Sequence, residues 1–181
     1  MVIALAGRRV DAAKAEKPRF PAKKLGVVKE RIRDLLKRRK ATALVCSGAC
    51  GADLLALQAA GDIGIRRIVI LPYAADIFRR TSVVDRPGDW GDSYDQIIDQ
   101  VQKEKNLVVL GYAEGDSAAY SATNHAILDH ATKTAREANL PIAAVVVWDG
   151  KSRGKDDYTE QFQNEARGRG IKDVIEIRTL E

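Results

Sequence analysis

The stretch LVCSGACGADLLALQAA, residues 44–60, decides how this chain folds. An apolar run ends at Cys46, residues 47–51 are small and glycine-rich, and leucine and alanine dominate from Ala52 onward. A short continuous apolar run bounded by glycine reads as a buried strand, and the Ala/Leu segment after it reads as a helix. Gly48 and Gly51 remove side chains where the backbone turns sharply between the two. Two readings of that turn stand side by side. In one, amides exposed at the helix start suit an anion such as phosphate, with Arg8 as the counter-charge. In the other, the glycines only permit a tight turn and Ser47 caps the helix. The segment is neither G-x-G-x-x-G nor a Walker loop.

Similar apolar runs recur at residues 2–6, 43–46, 67–71, 107–110, 143–148 and 174–177. They are continuous instead of alternating, so both faces of each strand are covered, as in a parallel sheet between helices. The expected fold is α/β: a Rossmann-like, doubly wound, mostly parallel sheet of about six or seven strands with helices on both faces. Helices fill the gaps at residues 22–40, from 52, around Tyr94, Ile97, Ile98 and Val101, at 118–139 before Pro141, and at 158–167. Residues 12–21 read as an irregular loop and residues 75–93 as a long connection. No repeat, low-complexity tract or compositional break interrupts the chain, so residues 1–181 are expected to form a single domain.

The composition is that of an ordinary globular chain, with 45% hydrophobic and 30% charged residues, which argues against disorder. No apolar run approaches the ~20 residues of a membrane-spanning helix and no signal-type start is present, so a cytoplasmic protein without a membrane partner is expected. Cys46 and Cys50 have no matching Cys or His pair, and His125 and His130 lie off a common face, which excludes a metal site on spacing. No cofactor is called for. The net charge of +5 invites nucleic acid, and single-stranded DNA binding through Arg31, Arg38 and Arg39 is one reading. The basic residues of KKLGVVKERIRDLLKRRK, however, alternate at helical spacing with Leu25, Val28, Ile32, Leu35 and Leu36, which argues for a solvated helix face and against a nucleic-acid partner.

In open parallel sheets ligands bind beyond the carboxyl ends of the strands. The candidates are therefore Gly7-Arg8-Arg9, residues 47–51, Pro72-Tyr73, Gly111-Tyr112 and Trp148-Asp149-Gly150. Asn124 falls on one helical stripe with Tyr120, Ile127, Ala131 and Ala138, so it points inward, as a base or ribose contact or as a core amide bonded to backbone. Trp90 and Tyr94 either stack a base or plug the core edge. Asp157 and Glu160 form an Asp-x-x-Glu helix start, which resembles a capping box. No nucleophilic triad or paired-carboxylate device stands out.

Taken in order, ALAGRR, LVCSGACGADLLALQAA, IVILPYAADIFRRTSV, ATNHAILDHA and VVVWDG resemble the SLOG superfamily. That superfamily is named for the Smf/DprA DNA-processing proteins and the Lonely-Guy proteins, also labelled lysine decarboxylase-like. The resemblance implies a Rossmann-like fold that binds a nucleotide or nucleotide-derived ligand, as a sensor in one reading, and a homodimer. It implies that Gly7 and Arg8 line a first ligand loop, Ser47, Gly48 and Gly51 a phosphate or ribose loop, and Arg79 and Ser82 a further polar contact. Trp148, Asp149 and Gly150 would close the pocket. Lonely-Guy enzymes cleave nucleoside 5′-monophosphates at the N-glycosidic bond with a Pro-Gly-Gly-x-Gly-Thr-x-x-Glu motif. This chain instead reads WDGKSRGKDDYTEQF, with Thr159 beside Glu160 and no double glycine. By that resemblance Glu160 is the catalytic candidate and Thr159 a ligand contact, with binding favoured over cleavage.

Overall fold

The computed structural model describes residues 1–181. Six strands form: β1 (Val2–Gly7), β2 (Ala43–Cys46), β3 (Arg66–Leu71), β4 (Leu107–Val109), β5 (Ile142–Trp148) and β6 (Val174–Arg178). They build one sheet in which all neighbours run parallel, in the order β4-β3-β2-β1-β5-β6. Each strand lies within a residue of the bounds expected from the sequence, because an unbroken apolar run is what a strand covered on both faces requires. Between the strands lie α1 (Leu25–Arg38), α2 (Ala52–Asp62), α3 (Ala75–Ser82), α4 (Gly91–Lys103), α5 (Ala119–Glu137) and α6 (Tyr158–Gly168).

The pleat of the strands divides the core in two. Ile3, Leu5, Leu44, Val69, Val145 and Val147 face one way, against Val28 and Ile32 of α1, Leu54 and Leu57 of α2, and Ile97 and Val101 of α4. Val2, Ala4, Val45, Ile70, Ala144 and Val146 face the other way, against Ile127, Leu128 and Ala131 of α5 and Phe162 and Ala166 of α6. The start of α2, from Ala52 through Leu57, is buried all round, which explains why it carries Ala and Leu on every side with Asp53 as the single polar residue. On α1 only Val28, Ile32, Leu35 and Leu36 are buried, while Arg33 pairs with Glu30 and Arg39 with Asp173.

Two local expectations change. The connection at 75–93 contains α3, whose Phe78 and Ser82 turn inward while Arg79 and Arg80 turn outward. Eight residues are too few to impose a visible period on the sequence. On α5 the buried stripe runs through Thr123, Asn124, Ile127, Leu128, Ala131 and Ala135; Tyr120 and Ala138 lie off it and are exposed. Trp90 and Tyr94 are buried, their polar atoms bonded to the Pro87 and Ala75 carbonyls, and they plug the core.

Chain order fixes where a ligand can enter. Strands β1 to β4 step outward in one direction, and α5 then carries the chain back so that β5 lies on the other side of β1. The strand order reverses between β1 and β5, and helices leaving the two halves diverge to open a crevice there. No helix is long and apolar enough to cross a membrane.

Candidate functional site

The residues after β1 run antiparallel across the start of α2, with Arg9 bridged to Gly51. Ala52 N–H donates to the Arg8 carbonyl (3.1 Å), Val10 N–H to the Cys50 carbonyl (3.3 Å) and Cys50 N–H to the Ser82 carbonyl (3.0 Å). Ala49 N–H donates to Asp53 Oδ2 (3.3 Å). The amides of Ala49, Cys50 and Ala52 are thus satisfied by protein, and these three donors are not free for an anion at this turn. Three different acceptors take these donors: Asp53 four residues on, the Ser82 carbonyl at the end of α3, and the Arg8 carbonyl after β1. Gly51 is the residue before the first turn of α2, with no side-chain cap, so Ser47 does not cap the helix. Gly7 passes too close for a side chain, since a Cβ there would lie 2.4 Å from that of Ala52.

Beyond the β1/β5 switch point lies a cavity of about 320 Å³. Of the residues expected at a site, Gly7, Arg8, Ser47, Ser82, Asn124 and Thr159 lie on its wall. Gly48 packs under Tyr94, Gly51 against the Arg8–Val10 backbone, and Gly150 against Arg178. Pro72 is buried at the end of β3, its carbonyl accepting from Tyr112 N–H. Arg79 donates to Asp95 at the surface. Trp148 lies between the guanidiniums of Arg8 and Arg178, 5.7 and 5.8 Å from its ring centre. Glu160 accepts from the Ser152 hydroxyl and is not on the cavity wall. Asp157 caps α6 by accepting from Thr159 and Glu160 N–H, and the Glu160 side chain does not reach back to complete a box.

Arg8 spends its donors inside the protein. Nη1 and Nη2 each donate to the Asp157 carboxylate at 2.7 Å, Nη2 also to the Lys151 carbonyl, and Nε to Asp149 (3.2 Å). Arg19 adds a second guanidinium on Asp149 (3.0 Å). Two arginines face two carboxylates, so the charge of Arg8 is already met, and its work is to hold the 149–157 loop against β1. Burial pushes the Asp157 carboxyl up, but the Arg8 hydrogen bonds and the amides of Glu160 and Arg153 outweigh it and hold the group below its ordinary value.

Of the groups left over for a ligand, Arg9 stands among the candidates expected after β1, while Arg86, Arg153 and Asp53 were not singled out by the motifs. Arg9, Arg86 and Arg153 line the cavity alongside Asp53. Burial and the neighbouring Arg8 guanidinium lower Arg153 from its ordinary value, a repulsion that an anion would relieve. Arg9 reaches Asp85 with one nitrogen, while its Nε is buried with no partner. Asp53 is 7% exposed, its Oδ1 likewise buried without a partner. Leaving such an atom unsatisfied costs about 1–3 kcal/mol. Burial pushes the Asp53 carboxyl up to about 7, against the Ala49 amide and the Arg9 guanidinium, which both pull it down. The sequence carried one signal for Asp53: an acid standing alone in the run ADLLALQAA.

The opposite wall is aromatic and amide. Tyr120 and Tyr158 form a tilted pair with ring centres 5.4 Å apart, and Tyr120 shares its hydroxyl with Tyr73 (3.0 Å). Asn124 donates to the Tyr158 carbonyl (2.7 Å), which ties α5 to α6 at the cavity edge. No three His, Cys, Asp or Glu side chains are grouped to hold a metal ion.

The sheet and site define an α/β parallel-sheet protein with a polar crevice at its strand-order reversal. No family model matches the sequence, and no curated protein does. Among solved structures, DNA processing protein A from Streptococcus pneumoniae is similar with a TM-score of 0.42 at 15% identity, over 98% of this chain and 59% of that one. This chain therefore spans less than two thirds of that protein, and so loose a superposition says nothing about ligand or activity.

Proposed function

We propose that the cavity at the β1/β5 switch point binds a nucleotide or a nucleotide-derived small molecule. The observation that carries this reading is the makeup of the wall, where Arg9, Arg86 and Arg153 meet a carboxylate with one unpartnered oxygen and a tyrosine pair. Guanidiniums suit phosphate oxygens, a carboxylate suits a donor, and an aromatic pair suits a base. A cavity of about 320 Å³ is in the range of small-ligand sites. The sequence resemblance to the SLOG superfamily points the same way. The role is binding, because the Glu160 carboxylate is engaged by Ser152 away from the wall.

Thermal melting against nucleosides, nucleoside 5′-mono- and diphosphates and ADP-ribose tests the reading. A ligand at 100 times its Kd adds about 2.7 kcal/mol of stability, a readable rise in melting temperature. Stabilisation by phosphorylated members and not by bare nucleosides is expected. No shift with any of them at millimolar concentration sinks the reading.

A further inference from the structure

Three buried side-chain atoms in the protein lack hydrogen-bond partners: Arg9 Nε, Arg33 Nε and Asp53 Oδ1. Arg33 belongs to the α1 surface, where it pairs with Glu30. The other two belong to residues on the wall of one cavity, and they are opposite in sense, one a donor and one an acceptor. They do not pair with each other, although the Arg9 guanidinium is close enough for its field to act on the Asp53 carboxylate.

Buried polar groups are normally satisfied, and an exception in a residue that lines a cavity points to a ligand group that completes it. The acceptor wants a hydroxyl or an N–H. The guanidinium beside it wants an anion and disfavours a cationic donor. Among the parts of a nucleotide, the ribose 5′-phosphate is the unit that joins hydroxyl donors to an anion. A 2′-deoxyribose unit keeps the anion and loses a donor.

Resting on the nucleotide-binding reading above, we infer that Asp53 is the specificity-determining residue of this cavity. Its carboxylate accepts hydrogen bonds from ribose hydroxyls, so the site takes ribonucleotides and discriminates against deoxyribonucleotides. Ser47, on the same wall between β2 and α2, adds a hydroxyl that lets the ribose diol sit against polar atoms on both sides. Asp53 has a fixed place to do this from, because it stands in the buried first turn of α2 and one of its oxygens is held by the Ala49 amide.

The test is calorimetric titration of the intact protein at pH 8, where the Asp53 carboxyl is ionised, with ribonucleoside 5′-mono- and diphosphates and with their 2′-deoxy and 3′-deoxy counterparts. For the nucleotide that binds best, at least one deoxy form is expected to bind about 10- to 100-fold more weakly, the loss that follows removal of a hydrogen bond to a charged group. Asp53→Ala should bring that ratio close to one, with Asp53→Asn between. Equal binding of ribo and deoxy forms by the wild type overturns the inference and leaves the nucleotide reading standing. A ratio that survives in Asp53→Ala overturns it too. Failure of every nucleotide to bind the wild type removes both. The wild-type ratio needs no variant, so the outcome does not depend on how well Asp53→Ala folds.

Discussion

The Arg8 guanidinium meets the Asp157 carboxylate in a two-pronged pair, each nitrogen 2.7 Å from its own oxygen, with both side chains almost wholly removed from water. The pair joins the end of β1 to the cap of α6 across 149 positions of sequence. Breaking a buried pair by deleting one partner typically costs about 3–5 kcal/mol, since the remaining charge stays desolvated. Arg8→Ala is therefore expected to lower the melting temperature by roughly 10 °C. Arg8→Lys should recover little of it, because an ammonium cannot form the fork. The pH dependence has a fixed sign. The Asp157 carboxyl is held below its ordinary 3.8, so its contribution is present above that value and lost as pH falls through the lower folded value. Melting of wild type and Arg8→Ala should accordingly converge below pH 3.8. A gap that is constant down to full acid unfolding would contradict the assignment.

Asp53 behaves in the opposite way. Burial raises its carboxyl from 3.8 to about 7, so the folded state holds a proton that the unfolded chain releases. Stability from this group is fully present below pH 3.8 and drains away as pH rises through about 7. Asp53→Asn removes the titration while keeping the shape. Its melting temperature should exceed that of wild type at pH 8, by an amount worth a few kcal/mol, and approach it near pH 4. Stabilisation that does not change between those pH values would show that Asp53 is not buried as an acid.

These two acids mark how far the sequence could be read. The strands were legible because burial on both faces leaves only apolar residues, and six such runs stand out in the chain. The position of the cavity was legible as well, since crevices open where strand order reverses. The division of labour among its residues was not. Arg8 stands beside Gly7 at the end of β1 and reads as a ligand group, but Asp149 and Asp157, more than 140 positions later, consume its donors. Arg9, its neighbour, is the one left with a free nitrogen. Which of two adjacent arginines is spent internally is decided by a loop that folds over from another part of the chain, and no local pattern encodes that. The glycine turn before α2 was legible as a turn, but the Ser82 and Arg8 carbonyls that take two of its amides come from elsewhere in the chain and were not.

Arg86 and Arg153 occupy the cavity rim without a close partner. Their nearest carboxylates lie at 3.8 and 3.9 Å, and their side chains are 32% and 48% exposed. Such pairs contribute about 0–1 kcal/mol to folding, so Arg86→Ala and Arg153→Ala should melt within about 2 °C of wild type. Binding is where they should register. Each is expected to weaken a nucleoside 5′-diphosphate by about 5- to 10-fold, with Arg153→Glu worse than Arg153→Ala, and the wild-type affinity should fall as salt rises. Unchanged titration isotherms for both alanine variants would remove the arginines from the ligand site.

Gly51 sits where the chain after β1 crosses the start of α2, and it tests whether that crossing is as tight as its hydrogen bonds indicate. Its φ of 102° is left-handed, and a Cβ there would stand 2.6 Å from Val10 N and 2.7 Å from the Arg8 carbonyl oxygen. Both neighbours are backbone, fixed by the bridge between Arg9 and Gly51 and by the Ala52 and Val10 hydrogen bonds, so neither can rotate away. Gly64 supplies the control. Its φ of 70° is also left-handed, but a Cβ there meets nothing within 4 Å. Gly64→Ala should therefore cost only the backbone strain, about 1 kcal/mol. Gly51→Ala adds the clash to the strain and should cost at least about 3 kcal/mol, a loss of roughly 6–12 °C in melting temperature. Because the same backbone carries Arg8 and Arg9, Gly51→Ala should also abolish nucleotide-dependent stabilisation, while Gly64→Ala leaves it intact. Equal melting of the two variants would mean that the loop after β1 is free to lift from the helix, and that the wall built on it is not fixed.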